Sequence, residues 1–264
     1  MTTETPDQTL LLTVEDGIAR ITINRPEARN AFTFEMYEKL AEACETANAD
    51  SSVRALIITG AGDRAFSAGT DISLFRAFQK PEDAIGYESF MERVLSAIET
   101  CRVPTIAAIA GACTGGGGAI AACCDLRIGT VNAKFGIPIA RTLGNCLSVA
   151  NLARLSALIG VARVKHMILT ARLIEADEAL AIGLLNEVVP DRVALDARAT
   201  ELAAEIASFA PLTLRATKEG LRRVLAAKRQ ADDQDLILMC YMSEDFREGM
   251  AAFLAKRKPD WSGR

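Results

Sequence analysis

The sequence predicts an α/β fold, and three observations carry that prediction. Short continuous apolar runs, VRALIIT, VPTIAAIAG and DLRIGT, recur through the first half of the chain. Runs of that length without alternation suit strands buried on both faces. Helical patterns lie between them, and strand–loop–helix alternation indicates a largely parallel sheet covered by helices. From about residue 148 the pattern turns mostly helical, so the chain divides into an α/β core over 1–190 and a helical C-terminal region over 191–264.

Each element has a local reason. TLLLTV and IARITIN flank EDG, a hairpin with glycine in its turn. Arg25-Pro26 ends the second strand. Thr33 can cap a helix reaching about Asn48, with Met36, Leu40 and Ala43 along its inner face. VRALIIT is then a buried strand, GAGDRAFSAGTDIS a loop, and Pro81 to Glu99 a polar helix. VPTIAAIAG gives the next strand, GGGGAIAACC a short helix and DLRIGT another strand. SVANLARLSALIG, ARVKHMILTA and EADEALAIG read as helices, with LLNEVV a short strand after them. After Pro190 the pattern is wholly helical: Leu202, Ile206 and Phe209 repeat at i, i+4 and i+7. LTLRATKEGLRRVLAAK and SEDFREGMAAFLAKR are likewise amphipathic.

Composition narrows the function. The chain has 264 residues, half of them apolar, and a formal charge of −4, which does not favour a nucleic-acid binder. The basic end KRKPDWSGR is short and reads as a solvated tail. Seven cysteines form no CxxC pair, and with no signal peptide at MTTETPDQ they fit buried, reduced thiols in a cytoplasm. No apolar run is long enough to span a bilayer. The single histidine, His166, excludes any site that needs two and reads as a core residue; Trp261 reads as an anchor for the tail.

Three motif readings compete for the glycines. A P-loop needs GxxxxGK[ST], and the stretch from Gly111 lacks the lysine and the hydroxyl. AFSAG, residues 65–69, is an imperfect nucleophile elbow in which Ser67 would work with His166 as a serine hydrolase. The elbow should follow its strand directly, however, and GAGDR intervenes. The third reading joins two loops. AFSAGTDIS and AGACTGGGG each follow a buried strand, and each can present free backbone N–H groups; two such donors converging make an oxyanion hole. Glycines at 115–118 would let a ligand approach the backbone, and the helix that starts there adds its positive end.

NRPEARNAF, AFSAGTDIS, VPTIAAIAGACTGGGGAIAACCDLRIGT, AKFGIP and REGMAAFLAKRKP, in that order, resemble the crotonase superfamily of enoyl-CoA hydratases, isomerases and relatives, essentially end to end. The resemblance implies a spiral of ββα units, a helical C-terminal region for trimer formation, and acyl-CoA thioester substrates held by a homotrimer or hexamer. Coenzyme A would enter as part of the substrate, with no metal or redox cofactor. The thioester oxygen would sit between the N–H groups of Thr70 and Gly116. Ala68, Asp71 and Ile72 would flank the adenine and pantetheine channel, Phe253 and Lys256 would reach the nucleotide end, and Arg25 is a further phosphate candidate. Tyr87, Glu88 and Glu92 lie on the helix that lines the acyl pocket in the family, and Asp125 would support a strand turn.

One departure stands out. Where similar hydratases carry two glutamates, this chain has Ala119 and Ile139. Neither can move a proton, so ordinary two-glutamate hydration is disfavoured. Arg141, which could hold an anionic group, and Cys146 or Asn145 are the nearest replacements. The expectation is therefore an acyl-CoA enzyme that stabilises a thioester enolate and handles the proton by other means. A non-catalytic acyl-CoA binder is the alternative.

Overall fold

The computed structural model describes residues 8–226 and 233–264. β1 (Leu10–Glu15) and β2 (Ile18–Ile23) form the expected hairpin, closed by Asp16 and Gly17, both at positive φ. That is the backbone a two-residue turn requires to match the strand twist. α1 (Phe34–Ala49) starts where Thr33 predicts, the Thr33 hydroxyl accepting from Met36 N–H at 3.2 Å. Its buried face holds Met36, Leu40 and Ala43, and also Tyr37.

The chain then winds in three similar turns. β3 (Ala55–Gly60), β4 (Ala65–Ser67) and α2 (Pro81–Glu99) make the first. β5 (Thr105–Ile109), β6 (Ala112–Thr114) and α3 (Gly116–Cys123) make the second. β7 (Leu126–Thr130), β8 (Lys134–Gly136) and α4 (Ile139–Thr142) make the third. In each turn the longer strand joins one sheet and the three-residue strand joins another. After α5 (Val149–Ile159) and α6 (Val161–Leu169) come β9 (Ile174–Glu175), α7 (Ala176–Ala181) and β10 (Glu187–Val189).

Among the described residues the larger sheet has the order β1-β2-β3-β5-β7-β10 and the smaller β4-β6-β8-β9. Only the β1–β2 and β8–β9 pairs are antiparallel. This is the spiral of ββα units. It corrects the reading of GAGDRAFSAGTDIS as wholly loop, because Ala65–Ser67 pairs with β6 inside it. A three-residue strand is too short to show a period of two.

α8 (Arg192–Ala207) covers the outer face of the larger sheet. Leu195, Ala199, Ala203 and Ile206 pack there on Ala55, Ile57, Ile106, Ala108 and Ile128. The buried stripe thus runs through alanines, and Phe209, which the periodicity placed on it, is 48% exposed beyond the helix end. α9 (Pro211–Ala226), α10 (Gln234–Tyr241) and α11 (Glu244–Leu254) complete the helical region; Ala227 and Lys228 of the LTLRATKEGLRRVLAAK reading lie outside the described residues. No helix among the described residues is long and apolar enough to cross a membrane. His166 is exposed on α6 rather than in the core.

Candidate active site

Two loops meet at the head of α3. Phe32 and Thr70 form an isolated parallel bridge, in which Phe32 N–H donates to Gly69 O and Asp71 N–H donates to Phe32 O, both at 2.8 Å. Alternate backbone groups of an extended segment face opposite edges. The Thr70 N–H therefore turns away from Phe32, and it makes no hydrogen bond among the described residues. Gly116 is the first residue of α3, and its N–H is one of the donors that a helix start leaves without an internal partner.

Close backbone packing brings the two donors together. A Cβ on Gly69, whose φ is +95°, would lie 2.8 Å from Gly116 N and 3.0 Å from Thr114 O. A Cβ on Gly116 would lie 2.2 Å from Tyr37 Oη. Both positions thus need glycine for space. Tyr37 is buried flat against Phe32 with ring centroids 4.5 Å apart, and its hydroxyl shares a 2.9 Å hydrogen bond with Thr70 Oγ1. Thr70 Oγ1 shares a second, also 2.9 Å, with Tyr87 Oη on α2. Burial pushes both tyrosines up, so they stay neutral and act as hydrogen-bond links.

Thr70 and Gly116 line a cleft of about 660 Å³. Of the residues the sequence singles out, Ala68, Asp71, Ile72, Ala119, Ile139, Cys146, Phe253 and Lys256 share that lining. Arg25 and Arg141 do not. Arg25 sits behind the wall, donating to Asp71 Oδ2 at 2.9 Å and Ala31 O at 3.2 Å, so its guanidinium braces the loop. Arg141 is exposed on α4, outside the cleft. Asp71 is held below the usual carboxylate range: partial burial opposes this, and hydrogen bonds from Ser73 and Arg25 outweigh it. Lys256, exposed, and Arg29 provide the cations of the lining.

Cys146 donates to Leu236 O at 3.5 Å, and its hydrogen bond with Cys240 together with burial raises its pKa, which keeps the thiol protonated. Ser67 does not suit the hydrolase reading. It is fully buried, its hydroxyl donates to Asn30 O at 2.8 Å and accepts from Gly69 N–H at 3.1 Å, and His166 lies exposed on α6. Asp125 accepts from Thr105 N–H and from Lys218 Nζ, at 2.8 and 2.6 Å, and so braces the start of β5.

The cleft also has a polar wall, and sequence reasoning reached only part of it. Glu88 Oε1 accepts from Tyr241 Oη at 2.8 Å, and Tyr241 Oη accepts in turn from Asn145 Nδ2 at 3.1 Å. All three line the cleft. Burial pushes the Glu88 carboxyl up to about 7; Asp233 and Glu92 add to this, and the Tyr241 hydrogen bond opposes it. Asn145 Oδ1 is buried without a hydrogen-bond partner among the described residues. Glu92, by contrast, is engaged by Arg154 at 2.6 Å and ties α2 to α5. No local spacing announces this network, because Glu88 and Tyr241 are 153 positions apart.

Residues 13–264 match the model of the enoyl-CoA hydratase/isomerase family. The chain belongs to that family. As an enoyl-CoA hydratase/isomerase-family enzyme it is similar to the crotonyl-CoA hydratase of Syntrophomonas wolfei, 36% identical over 96% of this chain and 98% of the relative. It is also 36% identical to the short-chain-enoyl-CoA hydratase of Clostridium acetobutylicum, over 94% and 95% of the two chains. A crystal structure of an enoyl-CoA hydratase/carnithine racemase from Magnetospirillum magneticum superposes with a TM-score of 0.79 at 37% identity, covering 97% and 96%. A methylmalonyl-CoA decarboxylase in complex with 2-nitronate-propionyl-CoA superposes with a TM-score of 0.89 at 29% identity, covering 97% and 99%. All four are named for catalysis, which weighs against the non-catalytic reading of this family member.

Proposed function

We propose that the protein binds an acyl-CoA thioester with its carbonyl oxygen between the N–H groups of Thr70 and Gly116, and stabilises the enolate that forms there. The observation that supports this most is a pair of backbone donors, without partners among the described residues, brought to one cleft by the close packing of Gly69 on the head of α3. Such donors need no reorganisation as charge develops, and removing one from a hole of this kind costs about 10²–10³-fold in rate. Lys256 and Arg29 would meet the phosphates of coenzyme A, with Phe253 beside them. Ala119, Ile139 and Ile137 would form an apolar wall for the acyl chain.

Hydration of a short enoyl thioester is the reaction the two hydratases suggest. The chain would work as a homotrimer or a pair of trimers, coenzyme A being part of the substrate rather than a cofactor. α9, which has no fully buried residue and exposes Leu212, Leu221 and Val224, is the surface that favours such an assembly. Incubation of the pure protein with a panel of enoyl-, acyl- and malonyl-type CoA thioesters tests the reading. Turnover of at least one is expected. Tight binding with no turnover of any would contradict it.

A further inference from the structure

We infer that Glu88 is the residue that moves the proton, held for that task by Tyr241 and Asn145. The inference rests on the acyl-CoA reading above and goes beyond it by assigning the base.

Among the described residues the cleft is lined by three carboxylates, Glu27, Asp71 and Glu88. Asp71 is taken up by Arg25 and Ser73. Glu27 is 73% exposed and pairs with Arg25 at 3.9 Å, too loosely to fix it in place. Glu88 alone has one oxygen fixed and the other open: Oε1 accepts from Tyr241, while Oε2 has no hydrogen bond to the described residues. Glu88 is half-buried, and the space it lines is the cleft.

Tyr87, the residue before Glu88, is bonded to Thr70 Oγ1, which fixes α2 against the loop that supplies one oxyanion donor. Tyr241 spends its proton on Glu88 and receives one from Asn145, which sets the Asn145 amide with Oδ1 as a spare acceptor. Glu88 thus offers the cleft a carboxylate acceptor, while Asn145 Oδ1 stays buried. A carboxylate oxygen in that lining can accept a proton from water.

The step balances with water alone. Glu88 Oε2 takes one water proton as the water oxygen bonds to the β-carbon of the enoyl thioester. The π electrons move to the thioester oxygen, where the Thr70 and Gly116 N–H groups meet them. The enolate then re-forms its carbonyl as the α-carbon takes the proton back from Glu88. One water is added, and Glu88 ends as it began. A carboxyl near 7 serves both halves, because it is neither too weak to take the proton nor too strong to return it.

The test compares wild type, Glu88→Gln and Tyr241→Phe on crotonyl-CoA, with binding of the saturated butyryl-CoA measured alongside. Glu88→Gln keeps an acceptor for Tyr241, so butyryl-CoA binding should stay within about threefold while kcat falls about 10²–10⁴-fold. In wild type kcat should rise with pH through about 7. Tyr241 is a positioning residue: losing its hydrogen bond removes support for the charged carboxylate, so Tyr241→Phe should shift that rise to higher pH. The groups facing Glu88 are Tyr87 and Glu92 on its own helix, Asp233 and Tyr241 of α10 and its cap, and Asn145 and Cys146 from the loop after α4. None but Tyr241 is altered. Glu88→Gln turnover within threefold of an active wild type would overturn this inference and leave the acyl-CoA reading standing. A wild type that turns over no thioester of the panel above would overturn both.

Discussion

The two walls of the cleft handle charge in opposite ways. On the α3 side the donors are backbone N–H groups, fixed by a bridge and a helix start and insulated by glycine, alanine and isoleucine. Neither of these backbone donors titrates. On the α2–α10 side the polar atoms belong to side chains, linked in a short chain that ends on a carboxyl pushed up to about 7. The difference suggests a division of labour. In the proposed reaction, groups that cannot exchange protons would stabilise the negative charge, and Glu88 would exchange the protons.

Substitution at Gly69 should break the first wall most severely. In Gly69→Ala the new Cβ would sit 2.8 Å from Gly116 N at a φ of +95°. The hole is obstructed and the backbone strained, so kcat/KM should drop at least about 10²–10³-fold. Thermal or urea unfolding should show a loss of about 1–3 kcal/mol. The second wall should show itself in the pH dependence of stability. A folded-state carboxyl raised above its unfolded value keeps its proton longer when folded, so its contribution is present at acid pH. That contribution is lost as pH climbs from the ordinary glutamate range through about 7. Denaturation at pH 5 and pH 8 should therefore find Glu88→Gln gaining more on wild type at pH 8 than at pH 5; an equal difference at both would contradict the raised carboxyl.

Smaller effects should fall outside both walls. Lys256→Ala removes one exposed cation from the lining, a change worth about 1 kcal/mol or less. Binding of free coenzyme A should weaken up to about fivefold, less at high salt, with kcat untouched. Cys146→Ser should be nearly silent, within about twofold in kcat and KM, since the thiol is held protonated by Cys240 and burial. A large loss of kcat there would move the chemistry to the loop after α4.

Much of this architecture was legible because its causes are local. The Thr33 cap, the Asp16-Gly17 turn and the buried runs of β3, β5 and β7 each stand in a few consecutive residues. The loops carrying Thr70 and Gly116 were also legible, since a glycine run after a buried strand leaves N–H groups exposed. The second sheet was not, because β4, β6 and β8 have three residues each and no period to detect. Nor was the α8 stripe, where alanines rather than large residues meet the sheet. The polar wall was least legible of all. Glu88 and Asn145 were visible only as candidates among several, and Tyr241 reaches them through the packing of α10 on α2. Arg25 and Arg141 show the converse: a charge in a suggestive motif can brace a loop or face solvent.

Infrared difference spectroscopy of carbonyl-labelled crotonyl-CoA bound to Glu88→Gln tests the division of labour most directly. The account predicts a thioester carbonyl band at lower wavenumber than in solution, because both backbone donors remain, while hydration in the same sample has collapsed. A carbonyl band at its solution position, or a shifted band with hydration intact, would contradict it.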